Sequence, residues 1–265
     1  MKKILTAALA LSAFVASAQM KEGRVLYERV MQTPMRAFNL DPAIAAQIPK
    51  SRTDQYELLF SSNQSLWQFL PSAANDGDAN TFASGGVVLR LAGASNDITY
   101  LNFEKGIRID QREVLEKAFV VTDSIRKLEW KLSDETKTVL NYTVHKATAK
   151  RISTRIQMTM ENGEMKRTPY QDTATVVAWF TTEVPVPAGP EYGGQLPGLI
   201  LELDIANGQT VYKAIEVSPK VNTAKIREPK EGKKVTAAEF TKERDKLMEE
   251  MRKNAPSGNV FRIQN

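Results

Sequence analysis

The stretch PVPAGPEYGGQLPGLILELDIANGQTVYKAIEVS, residues 185–218, decides the reading of the fold. Its first fourteen residues hold four prolines and four glycines. The prolines fix φ and remove backbone donors, so sheet pairing does not run through them. The glycines adopt conformations closed to other residues. Pro185 to Gly198 is therefore read as one long loop of a single shape, with Tyr192, Leu196 and Leu199 as apolar weight to pin it down. The next residues, LILELDIA (199–206) and TVYKAIEVS (210–218), flank Asn207-Gly208, the strongest short hairpin signal. Leu201, Leu203 and Ile205 share one face of the first run, and Glu202 and Asp204 share the other, as in a half-buried strand.

The same pattern continues upstream. GRVLYERVM (23–31) alternates, and YELLF (56–60) with SLWQFL (65–70) reads as a hairpin around residues 61–64. ITYLNF (98–103), GIRIDQ (106–111), LEKAFVVTD (115–123) and LEWKL (128–132) follow as short strands. KTVLNYTVHKATAKRI (137–152) reads as one long strand. RIQMTME (155–161), Asn162-Gly163 and TATVVAWFTTEV (173–184) make another hairpin. Residues 71–97, rich in Ala, Asn, Asp, Gly and Ser, read as a long loop. No regular strand–helix alternation points to a parallel sheet, so the expectation is an antiparallel meander.

Two helices are expected. Asp41-Pro42 has the N-cap and first-position residues of a short helix over 42–48, which Pro49 stops. Thr236 and Glu239 form a capping box before a run that places Phe240, Leu247, Met248 and Met251 on one face, predicting a helix over 236–254.

Met1-Lys2-Lys3, the apolar run Ile4–Val15 and Ala16-Ser17-Ala18 have the three parts of a secretory signal peptide over residues 1–18. A single domain over 19–265 is expected behind it, exported to the periplasm or beyond, with no later apolar stretch long enough to span a bilayer. No cysteine follows the cleavage site, so it is not read as a lipoprotein. The chain has no cysteine at all, which excludes disulfides and thiol chemistry. The formal charge is +5, and Lys2 and Lys3 leave with the leader. The remaining excess lies in residues 220–253, a solvated basic tail or one that meets an anionic surface. Export and the lack of a recognition motif exclude nucleic acid as a partner.

Catalytic motifs are absent. His145 is the single histidine and sits in a strand pattern; no nucleophile elbow, zinc motif, phosphate loop or dinucleotide fingerprint occurs. Asp76 and Asp78 resemble part of a calcium loop but lack its glycine and distal glutamate. Neither cofactor nor metal is expected. Glu183, Glu191, Glu202 and Asp204 remain as acids for a hydrolase reading.

AWFTTEVPVPAGPEYGGQLPGLILELDIANGQTVYKAIEV (178–217) resembles the signature of the GLPGLI family of exported bacterial proteins. VVTDSIRKLEWKLSDETKTVLNYTVHKATA (120–149) and PKSRTDQYELLFSSNQSLW (49–67) extend the resemblance over residues 24–217. Gln195 stands in place of the motif's first glycine, and His145 where many relatives have cysteine. The resemblance implies export and a β-rich body; it implies no activity.

The resulting expectation is an α+β protein of mostly antiparallel β, whose strongly curved, half-barrel-like sheet is partly filled by the two helices. This resembles the periplasmic lipoprotein-carrier architecture, at the level of fold. Such a sheet predicts an apolar pocket for a lipid-like or peptide ligand, bounded by Trp130, Trp179, Phe180, Tyr192, Leu196, Pro197, Gly198 and Leu199. The alternatives are an envelope-assembly factor that engages another envelope protein through the loop 185–198, and the hydrolase.

Overall fold

The computed structural model describes residues 19–33, 49–71, 81–84, 87–91, 97–161, 164–254 and 260–263. In chain order the strands are β1 (Gly23–Gln32), β2 (Ser51–Ser61), β3 (Gln64–Leu70), β4 (Thr81–Ser84), β5 (Val87–Leu91), β6 (Ile98–Asn102), β7 (Ile107–Val114) and β8 (Lys117–Ser124). Then come β9 (Lys131–Val139), β10 (Tyr142–Glu161), β11 (Glu164–Thr181), β12 (Leu199–Ile205), β13 (Thr210–Ser218), β14 (Lys233–Thr236), helix α1 (Ala237–Asn254) and β15 (Val260–Ile263). Twelve strands form one sheet, in the order β14-β8-β7-β6-β3-β2-β1-β13-β12-β11-β10-β9. Every pairing in it is antiparallel except β14 with β8. The sheet does not close, and β14 and β9 are its edges. A separate three-stranded sheet runs β15-β5-β4.

The large sheet bends around the Pro/Gly loop. Five strand steps separate β6 from β12, about 24 Å in a flat sheet. Yet a β-carbon on Gly189 would lie 2.6 Å from Ile200 of β12, and one on Gly193 would lie 2.6 Å from Leu101 of β6. Four residues of chain span at most ~14 Å. The two strands can meet one short segment only if the face between them is concave.

That concave face holds the main core. Val25 and Tyr27 of β1, Leu58 and Phe60 of β2, and Leu201 and Leu203 of β12 pack against Val184, Val186, Ala188 and Leu196 of the loop. On the opposite face Leu59, Leu66, Tyr100, Ile109 and Val120 are covered by Ile226 from the segment after β13. Helix α1 docks at the β8–β14 end: Leu247 is buried against Phe119, Val121 and Val235, and Phe240 meets Phe119 edge-on at 5.4 Å. Its capping box forms as expected: Thr236 N donates to Glu239 Oε2 over 2.8 Å and Glu239 N to Thr236 Oγ1 over 3.3 Å. Among the described residues no helix is long and apolar enough to cross a membrane.

Several expectations need correction. Residues 137–152 are not one strand: Leu140 and Asn141, both at positive φ, turn β9 into β10. LEWKL (128–132) is not a strand, because pairing begins only at Lys131. The stretch 71–97 contains β4 and β5, which pair with each other. The expected leader (1–18), the helix over 42–48 and the Asp76/Asp78 pair lie outside the described residues.

Candidate functional site

Direct partners in an antiparallel ladder point to the same face. On the concave side, register therefore aligns Arg29 with Asp54 and Tyr212, Thr99 with Trp67 and Asp110, and Leu101 with Ser65 and Arg108. Past the apolar core, the inward positions thus switch to Arg, Asp and aromatic residues. They enclose a pocket of about 90 Å³, lined by Arg29, Tyr56, Trp67, Asp97, Thr99, Arg108, Arg112 and Tyr212, with Gly189 and Glu191 of the loop as its lip.

The ionic groups are cross-braced. Asp54, 1% exposed, accepts from Arg29 Nη2 (2.6 Å) and Arg52 Nε (2.8 Å). Asp110 accepts from Arg108 through Nε (2.8 Å) and Nη2 (3.0 Å), from Arg112 Nη2 (3.3 Å) and from Thr99 Oγ1 (2.6 Å). Arg112 also pairs with Asp97. Burial by itself would raise the Asp110 carboxyl, but Arg108, Arg112 and the Thr99 hydroxyl hold it below the usual carboxylate range. Burial pulls against the charge of Arg112, and Asp110 and Asp97 outweigh it, so that guanidinium stays protonated above its ordinary range.

Aromatic rings form the floor. Trp67 stacks on Tyr56 at 5.0 Å and 10°, and Tyr212 meets both edge-on. The Arg29 guanidinium lies 4.9 Å over the Tyr56 ring. Burial pushes the Tyr56 phenol up to about 12 and raises Tyr212 too, so both remain neutral donors near neutrality. Arg29 Nε is buried and has no hydrogen-bond partner. An unsatisfied buried donor is costly, and this one stands out among groups that are nearly always paired.

The loop answers the question its composition raises. Gly194 N donates to Pro187 O over 2.6 Å, Ile200 N to Ala188 O over 2.9 Å, and Tyr27 Oη to Ile200 O over 2.5 Å. These bonds present Glu191 at φ +56°, a conformation uncommon for a side-chain-bearing residue. Its carboxylate accepts from Tyr212 Oη over 2.8 Å.

The residues singled out from sequence go elsewhere. Phe180, Tyr192, Leu196, Gly198 and Leu199 are buried. Trp130 is half-buried and meets Tyr192 edge-on at 5.7 Å. Trp179 lies apart, with Lys137 4.4 Å over its ring, and Pro197 is exposed. None of these eight lines the small pocket. Apolar side chains fill much of the concave interior, and the small pocket is lined mainly by charged and aromatic residues. Arg29, Arg108 and Arg112 were missed, although Arg29 is in phase with Val25 and Tyr27 and Asp54 with Tyr56, Leu58 and Phe60. A charge repeated in phase with a buried face was the available signal. The four acids of the hydrolase reading act separately: Glu183 accepts from Thr143 N, Glu191 from Tyr212, Glu202 from Lys137 and Asp204 from Gly208 N. Among the described residues no acid or histidine cluster could hold a metal ion.

Residues 130–202 match the model of a family described as "Protein of unknown function (Porph_ging)". The Porph_ging match runs from Trp130 through the loop into β12, the part that carries the resemblance to a family of uncharacterised bacterial proteins. No curated protein matches the chain. The fold is similar to that in "Structure of PNGF-II in C2 space group", with TM-score 0.50, 16% identity, and coverage of 83% of this chain and 32% of that one. The structure of PNGF-II in the P21 space group aligns with TM-score 0.48, 16% identity, and coverage of 84% and 32%. The chain spans about a third of the length of those proteins, and the likeness is one of fold alone.

Proposed function

We propose that this is an exported, non-enzymatic binding protein of the bacterial cell envelope that holds the carboxylate end of a peptide-like ligand on the concave side of its sheet. The observation that carries this reading is Arg29, a residue of the pocket wall whose buried Nε has no partner, next to Arg108 and Arg112, which Asp110 and Asp97 hold in place. A carboxylate supplies the missing acceptor, and guanidinium–carboxylate pairing is geometrically specific. Glu191, whose second oxygen is not taken up by Tyr212, adds an acceptor beside it for the amide N–H groups behind a carboxylate. Charged walls favour such a ligand over a lipid tail. The carrier-like architecture belongs with this proposal: a bent sheet with a seat on its inner face, the cargo being polar. Export rests on the leader-like residues 1–18.

The test is calorimetry with the tripeptide Ala-Ala-Ala and its C-terminal amide. The acid binds and the amide does not, and Arg29→Gln weakens the acid by about tenfold to a hundredfold. Equal binding of acid and amide, or binding of neither, overturns the proposal.

A further inference from the structure

A second, wider groove of about 440 Å³ adjoins the pocket, sharing Leu101, Arg108 and Glu191 with it. Its far wall is Arg151 of β10, with Tyr192 and Gly193 from the loop. Among the described residues, two buried side-chain polar atoms lack a hydrogen-bond partner: Arg29 Nε and Arg151 Nε. Arg29 is one of the residues that line the pocket, and Arg151 one of those that line the groove. Their placement on either side of one lip is more specific than a single orphan donor would be.

The residues between them have the complementary character. Arg108 is engaged by Asp110, and its Nη1 reaches only Glu191 O at 3.4 Å. The Glu191 carboxylate, bound by Tyr212 through one oxygen, keeps further acceptor capacity at the crossing. Arg126 and Asp123, also in the groove, satisfy each other at 2.9 Å. From pocket to groove the order is the Arg29 guanidinium, bound to Asp54 but with Nε unpaired, an acceptor at Glu191, and the Arg151 guanidinium, bonded to the Tyr192 hydroxyl but with Nε unpaired. A ligand that matches this order has an acceptor, a donor and an acceptor. Two carboxylates joined by a stretch of amide N–H groups have that order.

Resting on the reading above, we propose that the ligand is an acidic peptide that crosses the lip, its C-terminal carboxylate at Arg29 and an acidic side chain at Arg151. Glu191 receives the intervening backbone N–H. Arg151 thereby selects the residue upstream of the C-terminus.

Calorimetry with Glu-Ala-Ala, Ala-Ala-Ala and Lys-Ala-Ala tests this on the full chain. Wild-type protein binds Glu-Ala-Ala about tenfold more tightly than Ala-Ala-Ala and binds Lys-Ala-Ala most weakly. Arg151→Gln brings the first two within about twofold, and Arg151→Glu makes Lys-Ala-Ala the best of the three. Should either variant fail to fold, the wild-type order Glu over Ala over Lys, compressed by added salt, still decides the matter. Equal affinities for the three peptides, or a Glu preference that survives in folded Arg151→Gln, overturn this inference. An acid-over-amide preference without a Glu preference sinks it alone, whereas failure of every peptide to bind sinks the carboxylate seat with it.

Discussion

Tyr212 Oη donates a hydrogen bond to Glu191 Oε1 over 2.8 Å and so ties β13 to the tip of the Pro/Gly loop. Tyr212 is buried and Glu191 exposed, so the bond is made where the pocket meets solvent. Tyr212→Phe keeps the ring contacts with Tyr56 and Trp67 and removes this tie alone. The expected cost is about 1 kcal/mol, read from the urea midpoint at unchanged slope. A variant as stable as wild type would show that the loop tip is held by packing only.

Gln195 is the departure from the family motif, and the structure gives it a role. Its side-chain oxygen accepts from Leu128 N at 2.9 Å and from Trp130 Nε1 at 3.1 Å, pinning the segment before β9 to the loop. Gln195→Ala leaves two part-buried donors unpaired and should cost about 1–3 kcal/mol. Gln195→Glu keeps an acceptor and recovers part of the loss. Tryptophan emission moves to longer wavelength in the alanine variant; an unmoved spectrum with unchanged stability counts against the pinning.

Gly198 allows the loop to enter β12. A β-carbon there would lie 2.0 Å from Thr181 O, a backbone atom that cannot step aside. Gly198→Ala is expected to lose about 3 kcal/mol or more. Gly208→Ala is the comparison: nothing lies within 4 Å, but φ is +86°, so only about 1 kcal/mol is lost. Thermal melts of the two variants rank them, and a reversed order would refute the contact argument.

Acid should weaken the arginine–aspartate lattice through Asp110. Its folded pKa is held below the unfolded value, which is about 3.9. The stabilisation is present above that value and is lost as pH falls through the folded pKa. Stability measured from pH 6 to pH 2 therefore drops below about pH 4. Asp110→Asn is less stable at pH 6 and has a shallower acid limb. The same slope in variant and wild type would assign the acid transition to other carboxylates.

Much of the fold was legible because its signals are local. Asn207-Gly208 and the alternation on either side placed β12 and β13, and the Thr236/Glu239 box placed the start of α1. Leu115-Glu116 carry no turn signature yet adopt positive φ, and Asn141, which tolerates positive φ, was passed over because the residues on both sides of it read as one strand. Tertiary pairing, here β9 with β10, overrides such weak local preference. The site was the least legible part. Arg29, Arg108 and Glu191 lie far apart in sequence and meet only because the sheet bends. The aromatic and apolar residues of the loop went to the core, and the group it presents at the pocket is Glu191.

The pairing of β1 with β13, Arg24 opposite Ser218, bears on folding order. A ribosome or an export channel delivers the N-terminus first, so β1 emerges long before its partner exists. Until β13 arrives, β1 has β2 on one side and a bare edge on the other. Such late long-range closure makes assembly slow, and the waiting edge is the part of the nascent chain most in need of a chaperone.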